Sequence, residues 1–422
     1  MNTKIVVVAI VSVLVVAGIG AYLVYSSNDD SRYRSTDDTG RLMIMGNANN
    51  DDYLDEEDIT ALQSIIDGEM KKTPYADANN DGAIDQKDIN MVKRMIDREK
   101  MKIYYTDGWG DVKTVNYPLN NVILCGTPDV FTAMRSINAM NKVAAYSDNS
   151  TSILDSVFYG DLMGLPIVGA SITRVDIDKV AEVQKTRSID AIITITIRSM
   201  VSNESDFNVA GIDVIRLAFG DSFQSIGATL TLGYLLNAEE MANKYAEFTD
   251  KVISEVEEKV KNITNRVTTL SVSMNNYVSG KENDDYRITG IAGAINVSEW
   301  ESSRINNIGD EWIYEYPTDF IISRTTMGYD VVDINAVWAN HSPYFKDTVA
   351  YKNGGYYLIN ASMPVAVRVA TAAEIFYPEI FGEGYADKYH QQYIDEFVEM
   401  LKGNYDVTKR GAFVITKDMI TN

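Results

Sequence analysis

Apolar and polar positions change rhythm several times along the chain. From Ile5 to Tyr25 no residue is charged, and most are Val, Ile, Ala, Leu or Gly. A helix of about 20 such residues spans a hydrocarbon core of ~30 Å. Lys4 lies on one side of the run and Asp29 and Asp30 on the other, so the positive-inside tendency places the remainder of the chain outside the cytoplasm. This holds for an uncleaved anchor and for a cleaved signal segment alike. A polar linker follows. Two helix-period stripes come next, Ile59, Leu62, Ile65, Ile66 and then Ile89, Val92, Met95, Ile96. From Lys102 the rhythm changes to that of strands. Lys102–Asp107 and Val112–Val115 predict a hairpin around Gly108 and Gly110. Apolar runs predict strands at Val122–Leu124, Val143–Ala145, Ala191–Ile195 and Val214–Leu217. Thr127-Pro128 opens a helix, with Thr127 suited to the cap and Pro128 to the first turn. A long helical region is predicted over Ser225–Val260, with a stripe through Tyr245, Phe248, Val252, Val256 and Val260. Strands resume at Thr268–Met274, Phe320–Ser323 and Tyr356–Ile359, and a last helix spans about Asp387–Lys402.

Strands alternating with helices predict an α/β class with parallel sheets. The expected organisation is an anchor or signal segment (1–28), a linker (29–42), a small all-α module (43–100), a first lobe (101–235), a connecting helix (236–265) and a second lobe (266–422). At 422 residues and 45% hydrophobic the chain has ample material for a core. A formal net charge of −22 repels nucleic acid and excludes it as a general partner. The one cysteine, Cys125, lies in the apolar run Val122-Ile123-Leu124-Cys125 and reads as a buried strand thiol. There are two histidines, His341 and His390. A ligand role is conceivable for His341, and His390 reads as an exposed helix residue.

The segment between linker and hairpin repeats with an offset of 30 residues. Asn47, Asn49, Asp51, Asp55 and Asp58 match Asp77, Asn79, Asp81, Asp85 and Asp88, at loop positions 1, 3, 5, 9 and 12. Oxygen side chains at this spacing suit a hard cation, with position 7 offering the backbone carbonyls of Tyr53 and Ala83. Position 6 favours glycine. Gly82 meets this in the second copy and Asp52 replaces it in the first. With the neutral Asn47 at position 1 as well, the first calcium site is expected to be the weaker. The duplicated EF-hand-type loop and helix, with Asp at position 12, resembles a dockerin module. That resemblance implies a cohesin-like protein partner bound through positions 10 and 11. Those are Glu56-Glu57 and Gln86-Lys87 here, rather than a small hydroxyl pair. A calcium-stabilised spacer, or docking onto the module's own chain, are the alternatives.

Residues 102–402 carry a second resemblance, to the solute-binding proteins of ABC importers for iron-siderophores, haem and cobalamin. It rests on Tyr104–Val115 with Asn121–Leu124, on Val143–Asp148, and on Asp176–Val180 followed by Ile189–Ile193. Asp310–Ile313 followed by Thr318–Ile322 repeats the last element. Tyr344–Tyr357 and Thr371–Phe381 complete the order. The resemblance implies two Rossmann-like lobes joined by one long helix, with the ligand in the interlobe cleft. Asp190 and Asp319 lack the proline that precedes them in the family.

Loops beyond the carboxyl ends of strands bind ligands in such sheets. They nominate Gly126, Thr127, Pro128, Tyr146, Ser147, Arg198 and Phe219 on one lobe, and Asn275, Asn276, Tyr277, Arg324, Thr325 and Arg368 on the other. Aromatic residues can stack on a flat chelate and arginines pair with anionic oxygens. The family implies Asp178 and Glu311 as permease-docking acids. No HExxH, GxSxG or Walker loop is present, and nucleophile–base pairs are scarce. The expectation is a non-enzymatic, single-pass, extracytoplasmic solute-binding protein at the cell membrane. It would deliver a metal chelate, of iron or cobalt, to an ABC permease. The competing expectation is a cell-surface scaffold or adhesion protein assembled through the dockerin-like module.

Overall fold

The computed structural model describes residues 41–147, 155–169, 171, 173–220, 224–274, 277–281, 283–298, 304–305, 310–330 and 332–421, with the backbone alone at 273, 274, 304, 305, 310 and 311. The expected anchor (1–28) and most of the linker lie outside these residues. Among the described residues no helix is long and apolar enough to cross a membrane. From Asp37 onward the chain forms one compact unit.

Two helices come first, α1 (Glu56–Ile66) and α2 (Gln86–Ile96). Both start with the same device. Asp55 and Asp85 cap from extended backbone, and Asp58 and Asp88, three residues on, accept the N–H of the cap residue. This reciprocal box satisfies donors that a helix start leaves open. Leu62, Ile89, Val92 and Met95 are buried as their stripes require, whereas Ile66 is exposed.

The hairpin is β1 (Met101–Thr106) and β2 (Val112–Tyr117). Lobe one then runs β3 (Val122–Leu124), α3 (Pro128–Ser136), β4 (Val143–Ser147), β5 (Ile167–Gly169), α4 (Ile177–Gln184), β6 (Ala191–Ile195), α5 (Glu204–Val209) and β7 (Asp213–Leu217). Its strands are all parallel in the order β5-β4-β3-β6-β7. Both faces are covered, which is why these strands read as continuous apolar runs.

The predicted helix over 225–260 is in fact two, α6 (Ser225–Leu235) and α7 (Glu239–Val260). Asn237 takes a positive φ of 50°. Its N–H bonds Tyr234 O at 3.1 Å, and the N–H of Ala238 bonds Gly233 O at 2.8 Å. This is a Schellman closure with Asn in the left-handed position that usually calls for glycine. The apolar stripe continues through the break, so periodicity alone concealed it.

Lobe two contains β8 (Thr268–Met274), β9 (Tyr277–Ser279), α8 (Asp284–Ile291), β10 (Ile295–Asn296), β11 (Arg304–Ile305), α9 (Asp310–Glu315), β12 (Phe320–Thr325), α10 (Ile334–His341), α11 (Val349–Lys352), β13 (Tyr356–Asn360), α12 (Val365–Phe376), α13 (Pro378–Phe381), α14 (Tyr385–Phe397) and β14 (Val414–Ile415). Its sheet is mixed, with the order β11-β9-β8-β12-β13-β14 and β10 pairing β8. The two lobes use one pinning device. Asp190 Oδ2 accepts the N–H groups of Asn120 and Asn121 at 2.7 and 2.9 Å, and Asp319 Oδ2 accepts that of Thr268 at 2.8 Å. Each acid fixes the start of the neighbouring strand, a role that needs no preceding proline.

The small module docks onto its own chain. Ile44 bridges Tyr105, Met45 N–H bonds Tyr104 O at 2.9 Å, and Met43 N–H bonds Thr231 Oγ1 at 3.0 Å. Arg41 pairs with Asp52 in the first loop and, at 2.8 Å, with Asp250 on α7. Arg98 pairs with Glu239 and donates to Tyr117 Oη at 2.8 Å. A Cβ at Gly227 would stand 2.6 Å from Arg41 O. Gly227→Ala is therefore expected to prise the 41–46 segment from α6 at a cost of about 1–3 kcal/mol. Urea unfolding measures this; an unchanged midpoint would show that the contact is dispensable.

Interlobe cleft and candidate calcium loops

A small interlobe cavity lies beyond the carboxyl ends of β7 and β13, at Phe219 and Ala361. Asp129, Thr132, Phe219, Thr229 and Tyr245 line it together with Ala361–Val365 and Arg368. The lobes also meet beside it. Phe158 stacks on Tyr329 with ring centres 4.2 Å apart, and Tyr329 N–H bonds Asp155 Oδ2 at 2.9 Å.

Arg368 is the most constrained group here. It is 5% exposed. Nη2 lies 3.0 Å from Asp284 Oδ2 and Nη1 lies 3.8 Å from Asp285 Oδ1. Both acids are buried on the first turn of α8. Nε is buried and meets no acceptor. Arg324 lines an adjoining pocket with Asp285 and Arg368. Burial works against its charge, but Asp285, Asp129 and Asp284 outweigh this and raise its pKa.

The other nominees are divided by the fold. Phe219 lies on the cavity wall. Arg198 is exposed and is not on the cavity wall; its guanidinium lies 5.2 Å from the Trp109 ring. The hairpin turn brings Trp109 there, and its Nε1 donates to Thr196 O at 3.1 Å. Arg216 lies 5.3 Å from the same ring, held by Glu204 at 2.6 Å. Nothing local in the sequence joins Trp109 to Arg198, so its role was missed. Tyr146 is partly buried against Phe131, and Tyr277 pairs with Met274 where β8 ends. Ser147 is a correction: it is fully buried, its hydroxyl 3.5 Å from Leu124 O. Strand alternation turns it inward. Thr127 stands at the cap of α3 with Pro128 in the first turn, as expected, but its hydroxyl donates to Asp129 Oδ2 at 2.8 Å instead of accepting from the helix. Asn275 and Asn276 lie outside the described residues.

His390 also departs from expectation. It is 1% exposed, and burial drives its pKa down to about 3. Its face of α14 packs on Tyr329 and Phe413. His341 Nδ1 lies 2.9 Å from Val337 O, a local helix contact. Asp178 is exposed in the first turn of α4, and Glu311 lies in α9.

The two Asp/Asn loops have parallel networks. Position 3 accepts the N–H of position 5 (Asn49 from Asp51, Asn79 from Asp81), and position 5 that of position 7 (Asp51 from Tyr53, Asp81 from Ala83). Asp58 and Asp88 accept from Asn49 and Asn79 and from the cap residues. Gly82 has φ +91°, and Asn50 and Asn80 take positive φ at position 4. Asp52 does not, and is held by Arg41 instead. Asn47 Oδ1 is buried without a partner. Burial pushes the Asp58 carboxyl up to about 7, despite three backbone donors. No group of three or more His, Cys, Asp or Glu side chains that could hold a metal ion occurs among the described residues.

No known family pattern and no curated protein matches the sequence. Solved structures do match in fold. The TroA-like periplasmic binding protein FepB from Veillonella parvula superposes with a TM-score of 0.57 at 19% identity, over 74% of this chain and 99% of its own. CeuE from Helicobacter pylori with Ni(II) bound gives 0.56 at 16%, over 72% and 98%. The molybdate-bound periplasmic protein MolA from Haemophilus influenzae gives 0.55 at 15%, over 70% and 98%. The chain thus carries the mixed α/β fold of the periplasmic binding proteins.

Proposed function

We propose that this chain is the extracytoplasmic solute-binding component of an ABC importer, held at the membrane by its N-terminal segment. Its cargo carries anionic oxygens, as an anionic metal chelate or an oxyanion does. The observation that carries this reading is Arg368: a residue only 5% exposed, on the wall of the interlobe cavity, with Nε meeting no acceptor among the described residues. Leaving a charged donor unmet in a buried site is costly. A ligand oxygen would meet it, with Arg324 as the second contact and Phe219 as an apolar wall. The Asp284–Asp285 pair orients the Arg368 guanidinium. Asp178 and Glu311 would face the permease.

The two loops fit calcium. Asn47 Oδ1 lacks a partner among the described residues where the first ligand belongs, and the buried Asp58 carboxyl, whose ionisation burial disfavours, is a group that a bound cation would favour in its charged form. Asn47, Asn49, Asp51, Asp55 and Asp58 with the Tyr53 carbonyl would hold one ion. Asp77, Asn79, Asp81, Asp85 and Asp88 with the Ala83 carbonyl would hold the second. The ions would neutralise these carboxylates, of which Asp58, Asp77 and Asp88 are buried. Because the module is fastened to the hairpin, α6 and α7, it serves as a calcium-stabilised part of lobe one rather than as a free tether.

Arg324→Gln tests the cleft. It is expected to weaken cargo binding at least tenfold, about 1.4 kcal/mol, with the melting temperature retained. Unchanged affinity, measured by calorimetry, would remove the cleft arginines from the reading.

A further inference from the structure

Lobe two holds a second cavity, of about 420 Å³, between α12, α14 and the β13–β14 pair. Small-molecule sites occupy roughly 300–1,000 Å³. Met363 borders both this cavity and the interlobe one; the remaining walls are separate.

The chemistry of the wall is one-sided. Val367, Phe413 and Met363 give it an apolar floor. Its ionisable groups are Glu374, Glu383, Asp387, His390 and the Tyr357 phenol, with no lysine or arginine. Glu374 is already committed, its two oxygens accepting the N–H groups of Gly384 and Ala386 at 2.8 Å each where α14 begins. Asp387 has no hydrogen-bond or ion-pair partner among the described residues, and burial, then Glu374 and Asp406, raise its pKa. His390 lies three residues further along α14, on the same face. It is 1% exposed and uncharged. Its Nε2 stands 3.2 Å from Tyr329 Oη, and Nδ1 has no hydrogen-bond partner among the described residues. A free carboxylate and an unpartnered buried nitrogen therefore meet above an apolar floor.

We infer that this cavity is a second small-molecule site, for an organic cation: an ammonium group against Asp387 and an apolar body of about one ring against Phe413 and Val367. Opposite charge relieves the crowding of carboxylates at the rim, whereas an anion meets only like charge. The inference is independent of the cargo in the interlobe cleft.

The test is calorimetric titration of the purified full chain with phenethylammonium as probe and 2-phenylethanol as its neutral counterpart. Saturable one-to-one binding of the amine is expected, at least tenfold tighter than the alcohol. Asp387→Asn should reduce amine binding at least tenfold and leave the alcohol unaffected; Asp387 is exposed on the first turn of α14, so the variant should fold. No saturable binding of the amine, equal binding of the two probes, or an unchanged affinity in Asp387→Asn would each overturn the assignment.

Discussion

Arg368→Met is expected to cost about 3–5 kcal/mol of stability, because it removes one partner of a buried ion cluster and leaves the others charged. Asp284 and Asp285 follow one another on the first turn of α8, and both are nearly inaccessible. With the guanidinium gone both carboxylates lose that counter-charge, although Arg324 lines the same pocket as Asp285. Methionine fills much the same volume, so little of the loss comes from packing. Adding Asp284→Asn and Asp285→Asn to Arg368→Met should recover most of the stability, since the amides need no counter-charge. Arg368→Lys keeps the charge and loses the planar fork, so it should fold better than the methionine variant and still bind cargo poorly. Urea unfolding midpoints measure the series. A loss under about 1 kcal/mol for Arg368→Met would mean that the acids are not charged in the native state.

Calcium added to the chelator-treated chain is expected to raise the melting temperature of the whole compact unit. At a thousandfold excess over the dissociation constant, a single site stabilises by about 4 kcal/mol. The effect should spread beyond the loops, because Arg41 joins Asp52 to Asp250 on α7 and Arg98 joins α2 to Glu239 at its start. Arg41→Ala should keep calcium binding at the second loop and separate the module's unfolding from that of the lobes. Differential scanning calorimetry distinguishes the outcomes. One calcium-sensitive transition that splits in Arg41→Ala is expected. An early calcium-sensitive transition beside an unmoved main one, in the unaltered chain, would show that the module is only tethered.

Legibility in the sequence followed the range of the forces involved. The loops were legible because Asx turns and capping boxes are made within a dozen residues, and the chain writes them twice. The central strands β3 and β6 were legible to the residue because burial on both faces makes them nearly continuous apolar runs, and β8 because Leu270, Val272 and Met274 alternate with polar residues. The short strands β9, β11 and β14 are two or three residues long and carry no period. The break at Asn237 was hidden by apolar residues on both sides. The cleft was only half visible. Arg324 and Arg368 could be nominated from their places after strands, but Asp284 and Asp285 could not, since their partner is some 80 positions away in the chain. His390 was misjudged for the same reason: its burial comes from Tyr329 and Phe413, which arrive from other elements.

The most direct measurement is a calorimetric titration of the purified chain with ferric siderophores, haem, corrinoids and oxyanions, repeated on Arg368→Lys. Saturable one-to-one binding of an anionic compound without turnover, lost in Arg368→Lys, is the result expected of a cleft built around an unmet guanidinium. Absence of binding across the whole series, or binding indifferent to Arg368, would contradict the solute-binding function proposed for this chain.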